Sequence, residues 1–307
     1  MVLFKHAVDD MAKPCGFVSF ITTTGWMFLP SFSKLRTHVS KVMSISSLVD
    51  FGTELFDGKV GHNQIVSWVV RNIHISNYTM TAVRLVDYCY SRSAEKEPEY
   101  LSGRNIYTAM QDGFSNIPGS PIAYWVSNNV INAFRGKKIE DATVSKCGMG
   151  TSDNARFLRL WFEVSNHSIG FTYNSIAETH DRCFRWMPYD KGGDYRKWYG
   201  NQYYVVNFYN NGEDIREATK DATGGRVVGT DYYFKQHVSW SDITLGTLAF
   251  RWFNEGFIFD ACANAVFADK DALLYLLAFA NTKIVNQWSR ILINLANKYC
   301  IFVTDVI

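Results

Sequence analysis

Residues 64–70, Gln-Ile-Val-Ser-Trp-Val-Val, form an almost continuously apolar run that predicts a buried β-strand. Upstream, a second strand is predicted over 47–51, and the two strands can pair antiparallel across a turn at 57–58. Another strand is predicted over 17–22 and a helix over 31–43. Strands separated by a helix indicate an α/β layer, and these strands are too few for a complete doubly wound sheet.

The composition indicates a folded chain with a sizeable core. Its 307 residues are 47% hydrophobic and 20% charged, with a formal net charge of +2, which excludes disorder as the dominant state. The longest apolar stretch, 272–280, falls short of the ~20 residues that a membrane helix needs. Acidic residues at 9–10 interrupt any secretory signal, and the six cysteines are widely spaced. We therefore expect a soluble, cytoplasmic protein with no membrane contact.

A charged, apolar-poor segment follows Tyr90 and marks a domain boundary, which we place between residues 92 and 93. The chain downstream mixes short strands with Gly- and Asn-rich turns, a pattern typical of an α+β domain. The strands predicted there cover 157–164, 203–208 and 257–259, and two helices follow over 271–280 and 283–298.

No self-contained catalytic site is recognisable in the sequence. The histidines show no HExxH spacing, and neither a GxxxxGK[ST] phosphate loop nor a GxSxG elbow is present. Residues 148–153 begin like a dinucleotide-binding loop, but Asp153 stands where the third glycine belongs. We therefore predict no catalytic residue, no cofactor-binding residue and no metal ligand on this chain.

The most distinctive stretch is 181–201, where five basic residues are interleaved with six aromatic residues. A tight turn at the glycine pair 192–193 places a lysine and an Arg-Lys pair on one loop. Such a loop suits DNA, because cations neutralise phosphates, aromatic faces stack on bases, and the amide of Asn201 can bond a base edge. A buried aromatic turn with basic side chains reaching to solvent explains the same residues equally well.

Several segments resemble PglX-type adenine-specific DNA methyltransferases of BREX phage-defence systems, which are related to fused restriction-modification enzymes. The resemblance covers almost the whole chain, from about residue 3 to about residue 293. Its most specific block is 191–201, Lys-Gly-Gly-Asp-Tyr-Arg-Lys-Trp-Tyr-Gly-Asn. The other matching segments are 16–22, 26–29, 32–36, 117–125, 150–157, 204–207, 239–241, 256–260 and 277–281.

The resemblance implies a class I, Rossmann-like methyltransferase joined to a target recognition domain. Members of this family move a methyl group from S-adenosylmethionine to the exocyclic amino nitrogen of adenine, after flipping the base out of double-stranded DNA. They bind adenine through an Asn/Asp-Pro-Pro-Tyr/Phe motif. No two of the six prolines here are adjacent, so that motif is missing from this chain.

The fold class implied is therefore an α/β segment, an incomplete Rossmann-like methyltransferase half, followed by an α+β target recognition domain. Residues 1–92 correspond to the C-terminal part of the methyltransferase domain, and residues 93–307 to the recognition domain with C-terminal helices. S-adenosylmethionine is expected in the intact enzyme and no cofactor on this chain alone. The expected partners are double-stranded DNA and a chain that carries the missing catalytic half.

The residue assignments follow from the block 191–201 and from a short polar turn near residue 150. The first set of expected DNA contacts is Lys191, Arg196, Lys197, Trp198, Tyr199 and Asn201. The second set is Thr151, Asp153, Asn154 and Arg156, although such a turn also serves to cap a helix. Trp68 is expected in the core of its strand, with a base pocket as the alternative.

The sequence leaves three interpretations of the function open. The chain is either part of the methyltransferase, mainly supplying DNA target recognition, or a stand-alone DNA-specificity subunit without enzymatic activity. An inactive truncated fragment is the third interpretation, and it predicts exposed apolar surface.

Overall fold

The computed structural model describes residues 4, 6–56, 63–136, 138–181, 184–220, 226–241 and 247–293. The chain divides into two compact units, one running to residue 137 and the other starting at Lys138. Both mix helices with sheets, so the fold is a mixed α/β fold with several sheets. Within the described ranges, no helix combines the length and the apolar character needed to cross a membrane.

The described part of the first unit is built on a five-stranded sheet with the order β1-β3-β2-β4-β5. Its neighbours pair antiparallel except β2 and β4, which are parallel. The strands are β1 (Phe17–Thr23), β2 (Ser44–Gly52), β3 (Ile65–Arg71), β4 (Thr79–Arg84) and β5 (Ile106–Met110). The helices are α1 (Gly25–Phe28), α2 (Ser33–Val42), α3 (Lys96–Leu101) and α4 (Asn128–Ala133), with a π-helical turn at His6–Met11.

The three strands and the helix predicted in this unit are confirmed. The predicted hairpin is the antiparallel pair β2 and β3, in which Val49 faces Ser67, while its turn at 57–58 lies outside the described residues. Strand β5 also belongs to this sheet, because Ala82 of β4 pairs with Tyr107. The first unit therefore extends beyond the sequence-based boundary at residues 92/93, and that functional division stays a prediction.

Trp68 lies in the core of the first unit, as expected for a central strand. Its side chain is 2% exposed and stacks on Trp26 with 4.1 Å between ring centroids. The indole nitrogen donates a hydrogen bond to the Thr22 hydroxyl at 3.2 Å, so the polar atom of this buried ring has a partner.

Asp50 on β2 is a buried carboxylate in the same sheet. The Tyr124 hydroxyl donates a hydrogen bond to its Oδ2 at 3.0 Å, and the Gly52 backbone NH donates to its Oδ1 at 3.4 Å. Burial raises the pKa of Asp50, although both hydrogen bonds act in the opposite direction. Burial, and then the charge of Asp50, also raise the pKa of Tyr124.

Two four-stranded sheets form the second unit as far as it is described, with the orders β11-β10-β13-β6 and β12-β8-β9-β7. Only the pair β12 and β8 is parallel among their ladders. The strands are β6 (Val144–Lys146), β7 (Leu158–Leu160), β8 (Trp186–Asp190), β9 (Tyr204–Asn207), β10 (His237–Ser241), β11 (Phe250–Phe253), β12 (Ile258–Phe259) and β13 (Ala263–Phe267). The helices are α5 (Asn154–Phe157), α6 (Ile176–Asp181), α7 (Tyr209–Thr219), α8 (Lys270–Ala280) and α9 (Lys283–Ile293).

The predicted strand 157–164 is largely wrong, because only Leu158–Leu160 is extended there. A helical turn precedes it, and the 3-10 turn Trp161–Glu163 follows. The carboxylate of Glu163 accepts a hydrogen bond from the Leu160 backbone NH at 2.7 Å, which favours the turn over a longer strand. The other two predicted strands are confirmed as β9 and β12, and the predicted helices as α8 and α9, whose sequence beyond residue 293 lies outside the described part.

Candidate nucleic-acid interface

The segment 191–203 connects β8 to β9, and we call it the aromatic loop. It exposes four aromatic side chains to solvent, with exposed fractions of 59% for Tyr195, 51% for Trp198, 59% for Tyr199 and 42% for Tyr203. Large aromatic side chains are more often buried than exposed, because their burial contributes strongly to folding. Four exposed rings on one loop therefore mark a candidate binding surface.

The aromatic loop is held against the edge of β11 by backbone hydrogen bonds at Trp198. The Trp198 NH donates to the Phe250 carbonyl at 2.9 Å, and its carbonyl accepts from the Trp252 NH at 2.8 Å. Trp198 has a positive φ of 75°, which is uncommon for a bulky residue and requires support from its surroundings. The strand edge therefore fixes the backbone of Trp198 and leaves the indole available.

Glycines let the two ends of this loop turn sharply. Gly192 donates its backbone NH to Asp190 Oδ1 at 3.0 Å, and the Gly193 carbonyl accepts from the Ser241 hydroxyl at 2.7 Å. Gly200 has a φ of 128°, and a Cβ added to it would lie 2.2 Å from Cδ of Arg196. Glycine is favoured at residue 200, because residues with a side chain rarely adopt a φ of 128°.

Arg196, Trp198 and Tyr199 present exposed side chains, as the sequence assignment requires. Arg196 lies along the Tyr203 ring, with its guanidinium carbon 5.7 Å from the ring centroid, and its Nη1 donates to the Tyr203 hydroxyl at 2.7 Å. These contacts orient the guanidinium and leave the residue exposed.

The other three residues of the first set make contacts within the protein. Lys191 Nζ lies 2.5 Å from Asp260 Oδ2, and Lys197 Nζ donates to the backbone carbonyl of Asn281 at 2.7 Å. Asn201 is 5% exposed, and its Nδ2 donates to the Asp194 carbonyl at 2.9 Å. In this structure Lys191, Lys197 and Asn201 therefore stabilise the loop, and their direct contact with DNA stays a prediction.

The second set of predicted residues forms the cap of helix α5. The Asp153 carboxylate accepts a hydrogen bond from the Arg156 backbone NH at 3.0 Å, which is the usual role of an N-cap aspartate. Thr151 is 2% exposed and donates its hydroxyl to Asn154 Oδ1 at 2.7 Å. Arg156 packs 4.7 Å above the ring of Phe157. These residues have a structural role as a helix cap, and their role in DNA contact stays a prediction.

The second set follows a segment that contacts the partner of Lys191. The Met149 carbonyl, two residues before Thr151, accepts a hydrogen bond from the Ala261 NH at 3.1 Å, next to Asp260. Leu160 of β7 pairs with Tyr204 at the end of the aromatic loop.

Beneath the loop lies a group of buried polar residues that sequence reasoning missed. Asp260 Oδ2 accepts a hydrogen bond from the Tyr189 hydroxyl at 2.7 Å in addition to its ion pair with Lys191. Burial, followed by the charge of Asp260, raises the pKa of the Tyr189 hydroxyl. Nearby, His237 Nε2 lies 3.6 Å from Asp190 Oδ2, and both side chains are fully buried. Tyr189 therefore stays protonated and holds Asp260 beside Lys191.

These anchors were missed because each joins positions that are far apart in the sequence. Asp260 and Lys191 are separated by 69 residues, and no local pattern indicates such a pair. Tyr203, the partner of Arg196, was missed as well, although its position near the end of an aromatic-rich segment was a usable signal. No cluster of three or more His, Cys, Asp or Glu side chains suited to a metal ion occurs within the described ranges.

Comparison with known proteins relates the chain to adenine-specific methyltransferases. It is 34% identical over 294 residues to adenine-specific methyltransferase PglX of Lacticaseibacillus casei (strain Zhang), covering 91% of this chain and 24% of that protein. It is 29% identical over 290 residues to adenine-specific methyltransferase BrxX of Escherichia coli O9:H4 (strain HS), covering 92% of this chain and 23% of that protein. No family model matches the chain.

A structural similarity agrees with this relationship at the level of the fold. The Type IIL restriction-modification enzyme MmeI, solved in complex with DNA, superposes with a TM-score of 0.53 at 10% identity, covering 95% of this chain and 38% of that chain. The present chain spans about a quarter of the length of the curated relatives that it matches. Over the aligned residues, the chain is similar to these two adenine-specific methyltransferases.

Proposed function

We propose that this chain supplies DNA target recognition for an adenine-N6-specific DNA methyltransferase of a BREX phage-defence or restriction-modification system. In this proposal the first unit contains the late, Rossmann-like part of the methyltransferase domain, and the second unit acts as the target recognition domain. The similarity to PglX and BrxX supports the methyltransferase assignment. The similarity in fold to MmeI, which was solved in complex with DNA, supports a role in DNA binding.

The observation that carries the proposal is the aromatic loop, which is firmly anchored and yet exposes its rings and Arg196. A binding loop benefits from such anchoring, because less conformational entropy is lost when the ligand is bound. An exposed arginine can contact a phosphate or the edge of a guanine, and exposed aromatic rings can stack on bases. The direct contacts proposed for this loop are Arg196, Trp198 and Tyr199, with Lys191, Lys197 and Asn201 as supporting residues.

The rest of the reaction requires groups that this sequence does not contain. S-adenosylmethionine supplies the methyl group in the proposed enzyme, and a catalytic Asn/Asp-Pro-Pro-Tyr/Phe motif binds the flipped adenine. Both belong to a catalytic half that this chain works with, either in the same protein or in a partner chain. The helix cap that contains Thr151, Asp153, Asn154 and Arg156 is proposed as a secondary DNA contact.

The direct test is equilibrium binding of the purified chain to a fluorescent DNA duplex over a series of salt concentrations, with S-adenosylmethionine binding measured separately. Duplex binding that weakens as the salt concentration rises is expected, because neutralising phosphates releases counterions. Binding of S-adenosylmethionine by this chain alone would contradict the assignment of the cofactor site to a separate catalytic half. Lack of any DNA binding at low salt would overturn the recognition role.

A further inference from the structure

A second group of exposed aromatic side chains adjoins the aromatic loop. It lies in the 3-10 turn Trp161–Glu163, directly after β7. Trp161 is 43% exposed and Phe162 is 62% exposed, and their rings meet edge to face with centroids 5.7 Å apart. Neither ring is needed to fill the core, so this turn presents apolar, flat surfaces to solvent.

The turn and the loop are joined through Tyr203. The backbone NH of Trp161 donates to the Tyr203 carbonyl at 2.8 Å, and the Tyr203 hydroxyl accepts the hydrogen bond from Arg196 described above. Arg196, Tyr203 and Trp161 therefore follow one another in space, although 35 residues separate Trp161 from Arg196. We call the exposed rings of the loop and the turn the aromatic strip, which comprises Tyr195, Trp198, Tyr199, Tyr203, Trp161 and Phe162.

The cations of the loop are largely engaged inside the protein. Lys191 is paired with Asp260, and Lys197 is bonded to the carbonyl of Asn281. Arg196 is exposed but is oriented by the Tyr203 ring. Within residues 191–203, Arg196 is therefore the one exposed cation beside four exposed aromatic rings, whereas proteins that follow an intact duplex depend mainly on cations that contact phosphates.

Aromatic side chains bind most strongly to bases whose own faces are accessible for stacking. Bases inside an intact duplex are stacked on their neighbours, so a ring reaches a base face only where the stack is opened. We infer that the aromatic strip binds unstacked bases, so that the DNA this chain recognises is locally opened. This inference rests on the DNA-binding function proposed above and specifies the state of the DNA at that site.

The test compares three fluorescent probes of the same length: a perfect duplex, the same duplex with a short internal run of mismatches, and the single strand. We expect the mismatched duplex to bind at least about tenfold more tightly than the perfect duplex, since unpaired bases can stack on the exposed rings. The preference should persist at raised salt, because stacking does not depend on charge neutralisation.

Two variants test whether the aromatic strip causes the preference for the mismatched duplex. Trp161→Ala with Phe162→Ala should reduce the preference for the mismatched duplex several-fold while leaving the circular dichroism spectrum unchanged. Tyr275→Ala is the matched control, because Tyr275 is an aromatic residue of the same unit that is 74% exposed and lies on helix α8. It should leave the preference unchanged.

The outcomes separate this inference from the function on which it rests. Equal affinity for the perfect and the mismatched duplex would overturn the inference and leave DNA recognition in place. A preference that survives in the folded Trp161 and Phe162 variant, and equally in Trp198→Ala, would also overturn it. Failure to bind all three probes would overturn the proposed function itself.

Discussion

The side-chain amide of Asn281 forms two hydrogen bonds with the backbone of Phe250. Its Oδ1 accepts from the Phe250 NH at 3.0 Å, and its Nδ2 donates to the Phe250 carbonyl at 2.9 Å. The same carbonyl accepts the NH of Trp198, and the carbonyl of Asn281 accepts Lys197 Nζ. A single asparagine at the end of helix α8 thus supports both the edge strand β11 and the aromatic loop that rests on it.

Replacing Asn281 should weaken the second unit and the binding surface together. In Asn281→Ala the buried NH of Phe250 loses its partner, and an unsatisfied buried group costs about 1–3 kcal/mol. We expect a lower free energy of unfolding in urea and weaker binding to DNA. The control is Asn254→Ala, because Asn254 is an exposed asparagine that accepts a hydrogen bond from the Trp252 indole. Its stability should stay within about 0.5 kcal/mol of the wild type, and equal stability of the two variants would contradict this role of Asn281.

Arg196→Ala should weaken DNA binding without unfolding the protein. Arg196 is exposed, and removal of one phosphate-contacting cation should lower the slope of log affinity against log salt by about 1. Arg104→Ala provides the matched control, since it removes the same charge from a side chain that is 70% exposed in the first unit. Unchanged affinity in a folded Arg196→Ala protein would exclude Arg196 as a DNA contact.

Gly200→Ala should disturb the aromatic loop, because its backbone conformation is strained for a residue with a side chain and because the Arg196 side chain has to move. The added Cβ would lie 2.2 Å from Cδ of Arg196, on a backbone with a φ of 128°. We expect a loss of DNA affinity at least as large as that of Arg196→Ala. The comparison variant is Gly103→Ala, where φ is also positive, at 67°, but no atom lies within 4 Å of the added Cβ. It should leave DNA binding intact, and equal binding by both variants would show that the loop geometry is irrelevant to recognition.

Asp50 should make the stability of the protein depend on pH. Because burial raises its pKa in the folded state, the folded protein binds more protons than the unfolded chain above the ordinary carboxyl pKa. The free energy of unfolding should therefore fall as the pH rises from about 4 towards the raised pKa of Asp50. Asp50→Asn lacks this titration but retains an acceptor for the Tyr124 hydroxyl. The difference in free energy of unfolding, wild type minus variant, should decrease over this window in urea titrations, and a constant difference would contradict the pKa direction.

Three of the five strands of the first sheet were predictable because their signals are local. The apolar runs at 17–22, 47–51 and 64–70 each satisfy the pattern of a strand, and the helix between them is apolar at helical spacing. Strands β4 and β5 were missed, since they flank the charged segment and pair with each other only in the folded chain. Composition alone could not show that the charged segment lies inside the first unit.

The candidate site was predictable in part for the same reason. The exposed residues Arg196, Trp198 and Tyr199 stand in one unusual block, whose composition drew attention to them. The sequence could not reveal which cations are engaged inside the protein, because Lys197 finds its partner 84 residues away. It also could not place Trp161 beside Tyr203, since that neighbourhood arises from the pairing of β7 with β9.

The role of the aromatic loop is tested most directly by hydrogen exchange of the chain, measured by mass spectrometry with and without a saturating DNA duplex. If the aromatic loop is the recognition surface, the backbone amides of residues 191–203 should exchange more slowly in the presence of DNA. The turn Trp161–Glu163 should show protection with them. Protection confined to the first unit, with unchanged exchange over 191–203, would contradict the central claim that the aromatic loop recognises DNA.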